Sequence, residues 1–116
     1  MLLIIKQCLE IQFQIYQQYK FQGLLQHYLQ LNINIHLLLA DIYSKNTTWG
    51  KVVSECKKAI KIDAKSNAAY KMLGIAYYSM HYYELAEKTL NKTLALDPHD
   101  EVTKDLLAKI SNKINR

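Results

Sequence analysis

Residues 67–100 read NAAYKMLGIAYYSMHYYELAEKTLNKTLALDPHD, and residues 33–66 read INIHLLLADIYSKNTTWGKVVSECKKAIKIDAKS. Laid over one another at a shift of 34 residues, the two stretches need no gap. Leu39 meets Leu73, and Leu73 meets Leu107. Ala40 meets Gly74, which meets Ala108. Tyr43 meets Tyr77, Trp49 meets Tyr83, Val52 meets Ala86 and Ile60 meets Leu94, while Ile62-Asp63-Ala64 falls on Leu96-Asp97-Pro98. The physical reading is a repeated helix–turn–helix unit. The first helix offers Leu39, Ala40 and Tyr43, and its small residue lets the partner helix come close. The second brings Trp49, Val52, Cys56 and Ala59 onto one stripe at spacings of three and four. The next unit repeats this with Leu73, Gly74 and Tyr77, then Tyr83, Ala86 and Leu90. Neither unit can bury its stripe alone, so stacking is required.

Outward from these units, residues 101–116 keep the register with Leu107 and Ala108 and read as a closing helix. Asp100 is its N-cap, and Lys104, Asp105, Lys109 and Lys113 form its wet side. Residues 1–32 differ. All eight glutamines lie between Gln7 and Gln30, and only Lys6, Glu10 and Lys20 are charged there. Ile11, Phe13 and Ile15 alternate with Gln12 and Gln14, which is the strand period. Leu9, Phe13 and Tyr16 also fit a broad helical face. Glutamine's helix propensity and the helical context favour helix. Phe21, Leu24 and Tyr28 have the spacing of a second helix, but the connection to His36 is six residues shorter than the one from Cys56 to Tyr70. The segment is either a partial unit running directly into the next helix or a divergent cap; a piece of a longer chain is also open.

The bulk numbers agree with an all-α reading. The chain has 116 residues, half of them hydrophobic, with one Pro and three Gly. That is one domain's worth of core, with little punctuation for β-turns. The formal charge of +5 is mild for a nucleic-acid binder. Cys8 and Cys56 have no metal-ligand spacing and read as buried, reduced thiols in a cytoplasmic protein. The apolar start, Met1 to Ile5, is too short for a secretion signal, and no stretch has the length of a membrane span.

Residues 67–100 carry Tyr70-x2-Leu73-Gly74-x2-Tyr77, then Ala86-x3-Leu90, then Pro98. In this they resemble the tetratricopeptide repeat, a 34-residue unit with the pattern W-x2-L-G-x2-Y, A-x3-F and P. Residues 33–66 are a degenerate copy, with His36-x2-Leu39-Ala40-x2-Tyr43, then Val52-x3-Cys56, and Ala64 in place of the proline. The missing proline leaves Asp63 and Ser66-Asn67 to turn the chain and cap the next helix. The resemblance implies an all-α, right-handed superhelical stack of antiparallel helix pairs. It implies a scaffold that holds a protein or peptide partner, with no cofactor.

Catalytic constellations do not emerge. His27, His36, His81 and His99 include no pair four apart, so no helical face presents two ligands. His36 holds the aromatic position of its repeat and reads as packing. His81 and His99 read as solvated turn residues. Glu84 and Glu87 suit a helix N-terminus. Lys51, Lys57, Lys58, Lys61 and Lys65 form a basic stretch, whose functional reading is contact with RNA or another polyanion; a solvated helix face is preferred. Cys56 reads as inert packing. Tyr78 and Tyr82, off the repeat pattern, are candidates for exposure.

The resemblance also implies a concave groove lined by the first helix of each unit. In this register its lining is Leu37, Leu38, Asp41 and Lys45, then Lys71, Met72, Ile75 and Tyr78, then Asp105 and Lys109, with Lys71 as the central cation. One branch of the family grips chaperone C-terminal carboxylates with Lys, Asn and Arg in this groove. Here Asp41 and Ile75 stand where an amide is wanted, so no chaperone-tail clamp is expected. A hydrophobic or helical ligand fits better. A homo-oligomer, a longer repeat array and a regulatory segment of a larger enzyme stay open as settings for the scaffold.

Overall fold

The structure is a computed structural model that describes residues 2–114, apart from the side chains of Tyr19 and Phe21. The Phe21 part of the second-helix pattern and the last two residues of 101–116 therefore lie outside the described residues. Among the described residues five helices follow one another: α1 Leu2–Lys45, α2 Trp49–Ile62, α3 Asn67–Ser79, α4 Tyr83–Leu96 and α5 Glu101–Lys113. Among the described residues there is no strand. The alternation of Ile11, Phe13 and Ile15 with glutamines is thus carried on a helix. No helix of the described residues is long and apolar enough to cross a membrane.

The helix boundaries keep the sequence register. α2 and α4 begin 34 residues apart, at Trp49 and Tyr83, and end 34 apart, at Ile62 and Leu96. α3 and α5 do the same, from Asn67 and Glu101 to Ser79 and Lys113. The turns repeat as well. Thr47 and His81 both take left-handed backbone, with φ of 55° and 67°. At the first turn the Thr48 N–H donates to Tyr43 O at 2.9 Å, and at the second the Tyr82 N–H donates to Tyr77 O at 2.9 Å. These bonds satisfy carbonyls that the helix end leaves open. Neither turn has a glycine.

Between units the chain turns on an aspartate. Asp63 Oδ1 accepts the Lys65 N–H at 3.0 Å, and Asp97 Oδ1 accepts the His99 N–H at 3.2 Å. Asp63 therefore turns the chain without the proline that follows Asp97. Ser66 occupies the N-cap position of α3, but its side chain makes no capping bond, contrary to the expectation from sequence. Asp100 does cap α5, accepting the Thr103 N–H at 3.2 Å.

The chain divides into two units, Met1–Leu31 and Asn32–Arg116. In the first, every described side chain is exposed except Leu29, which is half-buried. The second holds the core: Ala40, Val52, Cys56, Leu73, Ala76, Tyr77, Ala86, Leu90 and Ile110 form one buried cluster. α3 packs between α2 and α4, and α5 packs on α4. α3 and α4 approach closely at Gly74. A methyl group there would lie 2.5 Å from Leu90 Cδ2 and 2.6 Å from Cγ. One repeat earlier the same two positions hold Ala40 and Cys56, both fully buried. A larger residue on the first helix goes with a smaller one on the second, so the core stays filled in both repeats.

Candidate functional site

The ten groove candidates sort by helical position. Leu37, Asp41 and Lys45 follow one another at spacings of four on α1, Lys71 and Ile75 on α3, and Asp105 and Lys109 on α5, so each set shares a helix face. Leu38 and Met72 sit one residue further, about 100° round the helix. Leu37, Asp41, Lys71, Ile75 and Tyr78 are half-buried, and Lys45, Asp105 and Lys109 are exposed. Leu38 stands 61% exposed. Met72 and Tyr78 pack against the core cluster, whereas Leu37 and Ile75 are not among the side chains packed on it. Tyr78 is also edge-to-face with Tyr83 at 5.7 Å, so it is not the exposed aromatic the sequence suggested. Tyr82 is, at 55% exposure.

Two ion pairs involve these candidates. Lys45 Nζ lies 3.3 Å from Asp41 Oδ2, with the Lys45 side chain largely exposed and that of Asp41 half-exposed, a geometry worth little. Lys71, expected as the central cation, is held instead by Asp100: Nζ lies 3.1 Å from Oδ2 and 3.3 Å from Oδ1. Burial would push the Asp100 carboxyl up. The bonds from Lys71 and from the Thr103 backbone N–H outweigh that and hold it below its ordinary 3.8. Asp100 thus caps α5 and ties it to α3 with one side chain.

A second polar cluster was not legible as such in the sequence. Glu55 is buried on α2, and its Oε2 lies 2.6 Å from His36 Nδ1. Lys58 Nζ donates to its other oxygen at 3.3 Å. Burial alone would raise the Glu55 carboxyl; the bonds from His36 and Lys58 outweigh it and hold it below its ordinary 4.5. The signal was present in the register. The next repeat places Tyr70 and Thr89 at these two positions, so the first unit departs from the pattern twice, with polar groups that pair. His36 is therefore a structural residue of a polar bridge between α1 and α2, not an apolar packing group.

Elsewhere the candidates scatter. Lys51, Lys57, Lys58, Lys61 and Lys65 are all exposed, Lys58 is bound to Glu55, and Lys51 lies 5.3 Å from the Tyr43 ring centroid. His81 and His99 are exposed, and His81 Nδ1 lies 2.8 Å from the Tyr83 hydroxyl. Cys56 is buried, and burial pushes its thiol up to about 12. Cys8 is exposed, which corrects the reading of two buried thiols. It lies in the unit that has no buried side chain among its described residues. An open depression of about 390 Å³ at the α3–α4 turn is lined by His81, Tyr82, Tyr83, Glu84, Leu85 and Ile114, none of them a groove candidate.

No family model matches the chain. Among curated proteins it is similar to small glutamine-rich tetratricopeptide repeat-containing protein 2 of Mycosarcoma maydis, 35% identical over 76 residues, which is 66% of this chain and 22% of that protein. The chain thus spans under a quarter of that relative's length. Among solved structures it is similar to the C-terminal TPR-containing domain of a Plasmodium falciparum FK506-binding protein, with TM-score 0.71 and 28% identity, covering 75% of this chain and 58% of that one. It is also similar to the first TPR of Spaghetti (RPAP3) bound to the HSP90 peptide SRMEEVD, with TM-score 0.65 and 25% identity, covering 66% and 61%. With the gapless 34-residue register of its helices, this chain is a tetratricopeptide repeat protein.

Proposed function

We propose that the chain is a non-catalytic scaffold that holds a peptide or helix of a protein partner. The holding surface is the concave face lined by the first helices of its units, 33–66 and 67–100, closed by the helix of 101–116. Residues 1–32 are a divergent cap or partial unit. The observation that carries this reading is the pair Leu37 and Ile75: apolar, half-buried, and not among the side chains packed on the core. The charged candidates on α1 and α5 come in opposite signs, Asp41 with Lys45 and Asp105 with Lys109. Such a face suits an apolar or amphipathic segment with few net charges. Met72 belongs to the packing behind this face, and Leu38 lies beside it.

The Spaghetti neighbour holds a chaperone peptide, and this chain is proposed not to. Lys71 is bound to Asp100, and Asp41 would repel a carboxylate. A polyanion is not the proposed partner either, because Lys58 of the basic stretch is drawn to Glu55. A cytoplasmic setting accords with Cys8 and Cys56 both being free thiols.

The test uses the chain as bait, with partners identified by mass spectrometry, against a Leu37→Glu, Ile75→Glu variant whose helicity matches. Partners retained by the chain and lost by the variant are the expected result; identical partner sets overturn the groove. Calorimetric titration with SRMEEVD should show no heat of binding, and binding would overturn the exclusion of a chaperone tail. Met72→Glu is the wrong probe, since Met72 packs on the core and a buried charge would cost fold stability.

A further inference from the structure

We propose that the depression at the α3–α4 turn is a docking site for an arginine side chain of a protein partner. Its lining is His81, Tyr82, Tyr83, Glu84, Leu85 and Ile114. The site lies outside the ten groove candidates, although Tyr83 touches Tyr78, which is one of them.

The turns of the two repeats have the same backbone and opposite surfaces. Thr47 and His81 both take left-handed φ, and the same backbone bond closes each turn. In the 34-residue register, Thr47-Thr48-Trp49-Gly50-Lys51 falls on His81-Tyr82-Tyr83-Glu84-Leu85. The turn therefore does not need tyrosine at 82, glutamate at 84 or leucine at 85, since threonine, glycine and lysine serve the first one. There Lys51 Nζ lies 5.3 Å from the Tyr43 ring centroid. Leu85 takes the place of that lysine. The second turn gains a carboxylate and an exposed ring, and loses the cation of its own chain.

The floor of the depression is held in place. Tyr83 and Ile114 pack against the core cluster. Tyr83 is edge-to-face with Tyr78 at 5.7 Å, and Tyr82 with Tyr77 at 6.5 Å, which orients both rings. Tyr82 and Leu85 stand 55% and 49% exposed. Glu84 is exposed too. Among the described residues it makes no hydrogen bond or ion pair, not even with Lys88 at the spacing of four. An acid suits the first turn of α4, which accounts for the place of Glu84 on the helix but leaves its carboxylate without a cation.

One ligand group matches two phenol rings, a free carboxylate and two aliphatic side chains. A guanidinium stacks flat on an aromatic face and bonds a carboxylate through two N–H groups. Its methylene stem covers Leu85 and Ile114. The depression is open, and a planar group needs no enclosing cage. An ammonium is compact and strongly hydrated, so it gains less there.

The experiment titrates the isotope-labelled full chain with Nα-acetyl-arginine N-methylamide and follows backbone amide NMR shifts at constant ionic strength. The citrulline counterpart keeps the shape without the charge, and the lysine counterpart keeps the charge without the plane. Saturating shifts confined to residues 81–85 and 114 are expected for arginine in the millimolar range, weaker ones for lysine and none for citrulline. Tyr82→Leu should weaken binding roughly fivefold. Glu84→Gln should abolish saturation at unchanged helicity. Equal shifts from citrulline overturn the role of charge, and equal shifts from lysine overturn the choice of guanidinium. Shifts scattered over the acidic residues of the whole surface, or none, overturn the site. The chain's one arginine, Arg116, lies outside the described residues. Binding that appears only in Arg116→Gln assigns the site to the chain's own terminus and overturns the partner.

Discussion

Gly74 and Leu90 touch so closely that a single added methyl group at Gly74 would stand 2.5 Å from Leu90 Cδ2. Leu90 is fully buried, so any shift it makes has to be taken up by the side chains packed around it. Gly74→Ala gains helix propensity but overpacks the α3–α4 contact, and the net effect is a destabilisation of about 1–2 kcal/mol. Adding Leu90→Cys recreates the Ala40 and Cys56 pair of the first repeat. The double variant should lose less stability than the two single variants together, and a denaturation double-mutant cycle measures the difference.

Thr47 is β-branched in left-handed backbone, with φ 55°. Its hydroxyl donates to the Asn46 carbonyl at 2.7 Å. Thr47→Gly relieves that strain and should stabilise by up to about 1 kcal/mol, read as a rise in melting temperature. His81→Gly should gain less, because the ring also meets the Tyr83 hydroxyl at 2.8 Å.

The Glu55 carboxyl is held below its ordinary 4.5 in the folded chain. As pH falls, the unfolded chain takes up this proton first, so acid favours unfolding. The stabilisation is complete well above pH 4.5 and is lost as pH falls from there through the depressed folded value. Stability measured by denaturant across that window should fall for the unaltered chain and fall less steeply for Glu55→Gln. Asp100, held below 3.8, adds its share at lower pH, and Asp100→Asn should remove that part.

Cys8 is exposed, whereas Cys56 is buried with its thiol pushed up to about 12. At pH 8 a thiol reagent should label one cysteine per chain quickly and the second only after denaturant is added. Rapid labelling of both in the folded state would contradict the packing of α2 against the core.

Much of the fold was legible because it is periodic. Leu39, Leu73 and Leu107, with Ala40 and Gly74, locate the units, and the helix ends recur at the same interval. The turns were less legible. Left-handed backbone is usually announced by glycine, and here it falls on Thr47 and His81, which announce nothing. Ser66 looks like a cap and makes no capping bond, while Asp100 does. The face proposed as a groove was readable only as a register. Spacing says which residues share a face, but it does not reveal that Lys71 spends its charge on Asp100 or that Met72 turns into the core. The pairing of His36 with Glu55 joins residues 19 apart. It is visible in sequence only when two departures from the repeat are read together.

The complementary sizes at the helix contacts also bear on how the chain finds its fold. Repeats of similar pattern can dock in the wrong order, with α4 settling on the first unit's helix or α2 on α3's other face. Leu90 set against Ala40 would collide, and Cys56 set against Gly74 would leave a void, so each wrong docking costs energy that the right one does not. A pair of residues that differs between two otherwise parallel units therefore acts as an address, steering each second helix to its own first helix while the chain is still assembling.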